Sequence, residues 1–244
     1  MRTISSIIIG FFFTLSPFFS KGEDNPVYSK EIIYTYNYSI VKNGKSETGK
    51  LYLGCLGKLW PIKEQKQFAI IWTKEVKILE EKTWQTGVIE DSSRIFMHPP
   101  RINEFKILEY SPFPYVKFPL KTKNSWDWKL ALGKFWENKE LNVLADDTLH
   151  YNYQIVNKNQ KYFSFAKSKL TYYEVKCHSI NPKFKSEFVG YFSENCGFLY
   201  CQFQNIDNSI ITLELVNISS FDEIINNVIK GSDNKIMWEN KLWK

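Results

Sequence analysis

The sequence predicts an all-β, mainly antiparallel protein: a strongly curved open sheet or half-barrel with one C-terminal helix as cover. Three observations predict it. Apolar and aromatic residues alternate with polar ones at a period of two in segment after segment. One late segment, near residues 220–230, carries a single helical stripe. The strand–helix–strand alternation that builds parallel sheets is missing. A continuous sheet with many rings on one face must curl around them, face a second sheet or cover a ligand. A two-sheet sandwich is the alternative architecture.

Residues 1–22 read as a secretory signal peptide. Arg2 precedes an apolar run from Ile7 to Phe13, and Ser20 and Gly22 are small residues suited to a cut ahead of Glu23. The run is short of the about 20 apolar residues that span a bilayer, so no transmembrane span is expected after cleavage. An uncleaved anchor helix is the alternative. No cysteine stands there to carry a lipid. The expected location is therefore periplasmic, cell-surface or secreted, and residues 23–244 are expected to form one β-rich domain.

The first strand starts at Glu31, where Ile32, Tyr34, Tyr36, Tyr38 and Ile40 share a face. Asn43-Gly44 turns the chain, and Leu51 to Cys55 returns as a hairpin partner. Phe68 to Ile78 and Thr83 to Ile89 follow as further strands. Past residue 125, Trp126, Trp128, Leu130 and Leu132 line one face, and Leu149, Tyr151, Tyr153 and Ile155 another. Tyr162 to Ala166, Leu170 to Cys177, Phe188 to Phe192, Phe198 to Phe203 and Ile210 to Val216 complete a meander with short turns. Ser220 and Glu223 form a capping-box pair. Phe221, Ile224, Ile225, Val228 and Ile229 form the apolar stripe that follows, and Gly231 can stop the helix.

Between these halves lies the stretch from Arg94 to Trp128, with five of the nine prolines (Pro99, Pro100, Pro112, Pro114, Pro119). Proline fixes φ and removes a donor, so the stretch reads as a rigid, extended, aromatic-studded connector. Arg94 and Arg101 flank His98-Pro99-Pro100. An arginine fork can grip a carboxylate or phosphate in two parallel bonds. The alternative is that both arginines pair with Glu90, Asp91, Glu104 or Glu109 and pin the connector. Tyr110 in the same stretch, with Trp126 and Trp128, completes the candidate binding set. The two tryptophans suit a sugar platform if they face outward, and the core if they face inward.

The formal charge of +6 falls to +4 without Arg2 and Lys21. Lysine outnumbers arginine 29 to 3, the bias of an AT-rich coding sequence, and with export this argues against nucleic acid as a partner. Cys55, Cys177, Cys196 and Cys201 allow three pairings or none, and their spacing points to no metal. No cofactor is expected. His150 and His178 fall on polar faces, and no serine-elbow, zinc-helix or phosphate-loop motif occurs, so no catalytic residue stands out.

His98-Pro99-Pro100-Arg101, Ser111-Pro112-Phe113-Pro114-Tyr115 through Pro119 and Trp126, and Gly190 to Phe203 followed by Asn205-Ile206-Asp207 resemble an uncharacterised group of exported proteins from flavobacteria and related Bacteroidota. The Phe192 to Gly197 strand–turn–strand is similar to periplasmic curved-sheet proteins of the lipoprotein-carrier type, which carry an aromatic where this chain has Cys196. That second resemblance implies acyl chains held on a concave face beneath a helical lid. The resulting expectation is an exported non-enzymatic binding protein whose partner is a hydrophobic ligand or envelope component. A structural or adhesion module for a glycan or protein is the alternative, and a hydrolase the third.

Overall fold

A computed structural model describes residues 26–60, 66–76 and 85–224. The signal segment at 1–22, the helix stripe beyond Ile224 and the tail to Lys244 lie outside the described residues. Twelve antiparallel strands form one sheet: β1 (Glu31–Lys42), β2 (Lys45–Leu59), β3 (Phe68–Thr73), β4 (Thr86–Asp91), β5 (Arg94–Met97), β6 (Tyr115–Lys117), β7 (Ser125–Ala131), β8 (Thr148–Phe163), β9 (Ser168–Ser179), β10 (Glu187–Ser193), β11 (Gly197–Gln204) and β12 (Ile210–Ser219). Their order is β6-β5-β4-β3-β2-β1-β12-β11-β10-β9-β8-β7, so each half is a plain meander and the β1–β12 pair joins the halves. The predicted strongly curved sheet forms, and it is nearly closed.

Among the described residues, the one break in the order of paired strands falls between β6 and β7, and rings close it. Tyr115 meets Trp126 at 5.5 Å and Tyr153 at 5.5 Å between centroids, and Phe96 meets Trp128 at 5.3 Å. Edge-to-face and offset pairs of this kind contribute about 0.5–1.5 kcal/mol each beyond the area they bury. The large side chains therefore draw the two free edges together where backbone groups do not.

The β1–β2 hairpin turns at Asn43 (φ 51°) and Gly44 (φ 72°), both left-handed as a two-residue primed turn demands. Tyr28 is buried at the other end of the barrel, where its hydroxyl accepts a bond from Phe198 N at 2.7 Å. Glu90 holds this entry segment by accepting from the backbone N–H of Val27, Tyr28 and Ser29 at 2.6, 2.8 and 2.7 Å.

Two expectations change. Tyr162 to Ala166 is not a separate strand. β8 runs unbroken for 16 residues through a bulge between Ile155 and Asn157, and a turn at residues 164–167 leads into β9. The polar run 157–161 is strand because it pairs with β9, although little of it touches the core, so its period of two is faint. The connector is not simply extended either. It supplies β5, β6, the start of β7 and a 3-10 run from Asn103 to Tyr110, opened by Asn103 at φ 45°. Its prolines fall between these elements, where no ladder bond is required.

The helix start is capped as the sequence indicates, with Glu223 N donating to Ser220 Oγ at 3.2 Å. Phe221 and Ile224 pack with Ile33, Ile71, Tyr52, Leu56 and Val76. Ile33 and Ile71 point away from their neighbours Tyr34 and Ile70, so this cluster lies on the outer face of the sheet. This first helical turn covers the sheet from outside, and the concave face lies on the other side. All four cysteines are free thiols, with Cys55, Cys177 and Cys201 buried. Among the described residues no helix is long and apolar enough to cross a membrane.

Candidate functional site

The concave face is occupied by the chain's own connector. Phe105, Leu108 and Phe113 are each 0% exposed. The sheet's tyrosines reach across to bond connector carbonyls: Tyr151 Oη donates to Tyr110 O at 2.6 Å and Tyr153 Oη to Phe113 O at 2.9 Å. Trp72 Nε1 donates to His98 O at 2.9 Å, and Ser111 Oγ to Asn205 Oδ1 at 2.6 Å. Buried carbonyls without such donors would each cost about 1–3 kcal/mol. The alternation Tyr151, Tyr153 is plain in the sequence. Its second purpose, satisfying a segment 40 residues earlier, is not.

Five of the six candidate residues come together around this plug. Trp126 stacks on Tyr153 (5.6 Å, 6° between planes) and Trp128 on Tyr151 (5.8 Å, 15°), while Trp128 also meets Phe113 at 4.9 Å. Their faces are spent on protein rings, which favours the core role over a sugar platform. Tyr110 donates to Trp136 O at 2.9 Å. His98 Nδ1 lies 2.7 Å from Arg101 Nη2, and its ring packs on Phe113 at 5.3 Å. Arg94 stays outside this group and pairs with Asp91, Nε to Oδ2 at 3.7 Å.

The residue that sequence reasoning named only as a possible partner is Glu109, whose side chain is 2% exposed. Arg101 meets it with Nε at 2.6 Å from Oε2 and Nη2 at 2.9 Å from Oε1. The Arg101 guanidinium also lies over the Trp136 ring at 5.3 Å. Burial pushes the Glu109 carboxyl up to about 7, and the Arg101 charge pulls back against it. Arg101 thus takes a carboxylate partner that pins the connector, while Arg94, 43% exposed, makes only its contact with Asp91 within the β4–β5 hairpin. Two further acids named as partners work elsewhere: Glu90 on the entry segment and Glu104 in an ion pair with Lys74.

His98 is held neutral. Burial of the ring, then the adjacent Arg101 charge, push its pKa down to about 3 from 6.5. A histidine depressed in the fold contributes stability that is complete above the unfolded value and lost as pH falls through the folded one. Between pH 6.5 and about 3, His98 therefore withdraws stability at up to about 1.4 kcal/mol per pH unit. The difference in urea midpoint between the wild type and His98→Gln should shift as pH falls from 7.5, the wild type losing more with acid. Parallel curves would show that His98 does not carry this dependence.

A cleft of about 250 Å³ opens at the end of the barrel that holds the β1–β2 turn, lined by Ile40, Lys42, Glu104, Ile107, Glu140 and Asp207 among others. Lys42 Nζ pairs with Asp207 Oδ2 at 2.6 Å across it. None of the six candidate residues lines it.

No family model matches the chain, and no curated protein matches it. Solved structures similar to it include the hypothetical lipoprotein YmcC of Escherichia coli, with a TM-score of 0.35, 7% identity, and coverage of 78% of this chain and 89% of that one. A protein of YmcC-like fold from Bacteroides fragilis, described as exported, has a TM-score of 0.30, 9% identity, and coverage of 80% and 98%. A DUF1329 family protein from Desulfovibrio piger has a TM-score of 0.25, 10% identity, and coverage of 79% and 86%. The words lipoprotein and exported describe those proteins. For this chain, export rests on residues 1–22.

Proposed function

We propose that the protein is an exported, non-enzymatic binding protein that meets its partner from the outside of a self-filled barrel. One observation carries this reading: residues 98–114 occupy the concave aromatic face, with Phe105, Leu108 and Phe113 fully buried there. A hydrophobic ligand on that face would have to expel these side chains, at about 1.5–3 kcal/mol each, and strip the tyrosine bonds from the connector carbonyls. The groups best suited to acid–base work, Glu109 and His98, are both engaged with Arg101. An envelope component bound at the surface fits this arrangement better than an acyl chain held inside.

Solvent extraction of the purified protein, followed by mass spectrometry, tests the reading. The expected result is no lipid in stoichiometric amount. One lipid per chain, with its loss lowering the unfolding temperature, would place the ligand inside and overturn it.

A further inference from the structure

β8 and β9 continue where their neighbours stop. β7 pairs with β8 only as far as Ser125↔Gln154, and β10 with β9 only as far as Phe192↔Tyr173. From there β8 and β9 pair with each other alone, out to Phe163↔Ser168. A two-stranded ribbon thus projects from the barrel by roughly 17 Å, at the ordinary rise per strand residue. Such ribbons are marginal in water unless their side chains pack. Here Phe163 meets Phe165 at 5.9 Å and Tyr172 at 6.2 Å, Lys158 Nζ lies 5.2 Å over Tyr173, and Lys161 Nζ 5.7 Å over Phe163.

Composition sets the ribbon apart. Residues 157–173 contain Lys158, Lys161, Lys167 and Lys169 and no acid, in a chain with 26 acids. All four lysines are exposed. Tyr162, at the tip, is 56% exposed, and Phe165 lies half-buried in the turn beside Lys167. Lys169 pairs opposite Tyr162 on one ribbon face, Lys161 takes the other and Lys167 sits in the turn, so these three charges ring the tip, while Lys158 stands at the ribbon's base opposite Tyr173. A nucleic acid or soluble polyanion would need only the lysines. An exposed aromatic tip encircled by cations matches a bilayer surface, where rings sit at headgroup depth and cations meet anionic lipid. The Tyr28 entry segment and the Ser193–Gly197 turn lie at this same end.

We propose that the β8–β9 tip docks end-on against a lipid surface bearing anionic headgroups, with Lys161, Lys167 and Lys169 on phosphates and the Tyr162 and Phe165 rings seated among them. This rests on the reading that the protein acts from its outer surface. Each lysine near such a surface is expected to strengthen binding about five-fold.

The test uses residues 23–244, free of the apolar leader, in co-sedimentation with phosphatidylcholine vesicles with and without phosphatidylglycerol. Binding is expected only with phosphatidylglycerol, and should weaken with salt. Replacing Lys161, Lys167 and Lys169 with Gln should weaken it by roughly a hundred-fold. The same change at Lys45, Lys134, Lys139 and Lys185, exposed at the other end, should leave it intact. Tyr162→Ser with Phe165→Ser should cost about ten-fold or more on vesicles and nothing on heparin. Circular dichroism checks that each variant is folded. No vesicle binding, equal loss in the control set, or ring variants that bind vesicles normally would each overturn the proposal. A stoichiometric lipid extracted alike from wild type and ribbon variants would instead sink the outer-surface reading.

Discussion

Replacing Phe113 with alanine should destabilise the protein by about 3–5 kcal/mol, the usual range for a fully buried phenylalanine. Phe113 is 0% exposed and its ring lies 4.9 Å from Trp128, 5.3 Å from His98 and 5.6 Å from Phe96. Those rings belong to the connector, β5 and β7, the two sides of the seam where backbone pairing lapses. Their stacks and the Tyr153 bond to Phe113 O hold them in place, so they cannot close fully on the vacancy. The remaining void should be apolar, dry and able to take a benzene-sized guest. Urea unfolding of Phe113→Ala should show a lower midpoint with an unchanged slope, partly restored by added benzene. Phe135→Ala, at an 86% exposed ring, serves as the control and should change stability little. A loss at Phe113 no larger than at Phe135 would mean that the connector is not core, and the filled-barrel reading would go with it.

That expectation shows what the sequence could and could not convey. The strand faces were legible because one side of each strand is buried. Tyr34, Tyr36 and Tyr38 are 6% exposed or less, and Leu149, Tyr151, Tyr153 and Ile155 are 0% exposed. Period two records burial, so it reported the curved sheet well. It could not report what the buried side faces. An aromatic wall reads the same whether it lines a hollow or meets the chain's own loop, and the distinction depends on contacts 40 residues apart, such as Tyr153 to Phe113. The prolines marked Pro99 to Pro119 as irregular, but irregular backbone is expected at the surface. Here it lies inside because tyrosine, serine and tryptophan side chains satisfy its carbonyls. The helix is a similar case. Its stripe requires burial, and only the register of Ile33 and Ile71 places the burial of Phe221 and Ile224 on the outer face.

Arg101→Ala should cost about 3–5 kcal/mol at pH 8, and clearly less at pH 5. In the wild type the guanidinium meets both oxygens of a carboxyl that is 2% exposed, while remaining 29% exposed itself. Removing it leaves Glu109 either charged and unpaired in the core or forced to bind a proton. The protonated form is already favoured by burial and only restrained by Arg101, so the variant's folded carboxyl must titrate above the wild-type value of about 7. A carboxyl raised in the fold contributes stability present below its unfolded value near 4.5 and lost as pH rises through its folded one. The cost of Arg101→Ala therefore grows with pH only above the wild-type folded value of about 7, by up to about 1.4 kcal/mol per unit, until Glu109 ionises in the variant too. Glu109→Gln in the Arg101→Ala background removes the charge and should recover most of the loss at pH 8 and little at pH 5. Urea midpoints of the three proteins at the two pH values decide it. If the Arg101→Ala cost is the same at both, Glu109 is not the group that Arg101 neutralises, and the pinning of the connector must be assigned to packing alone.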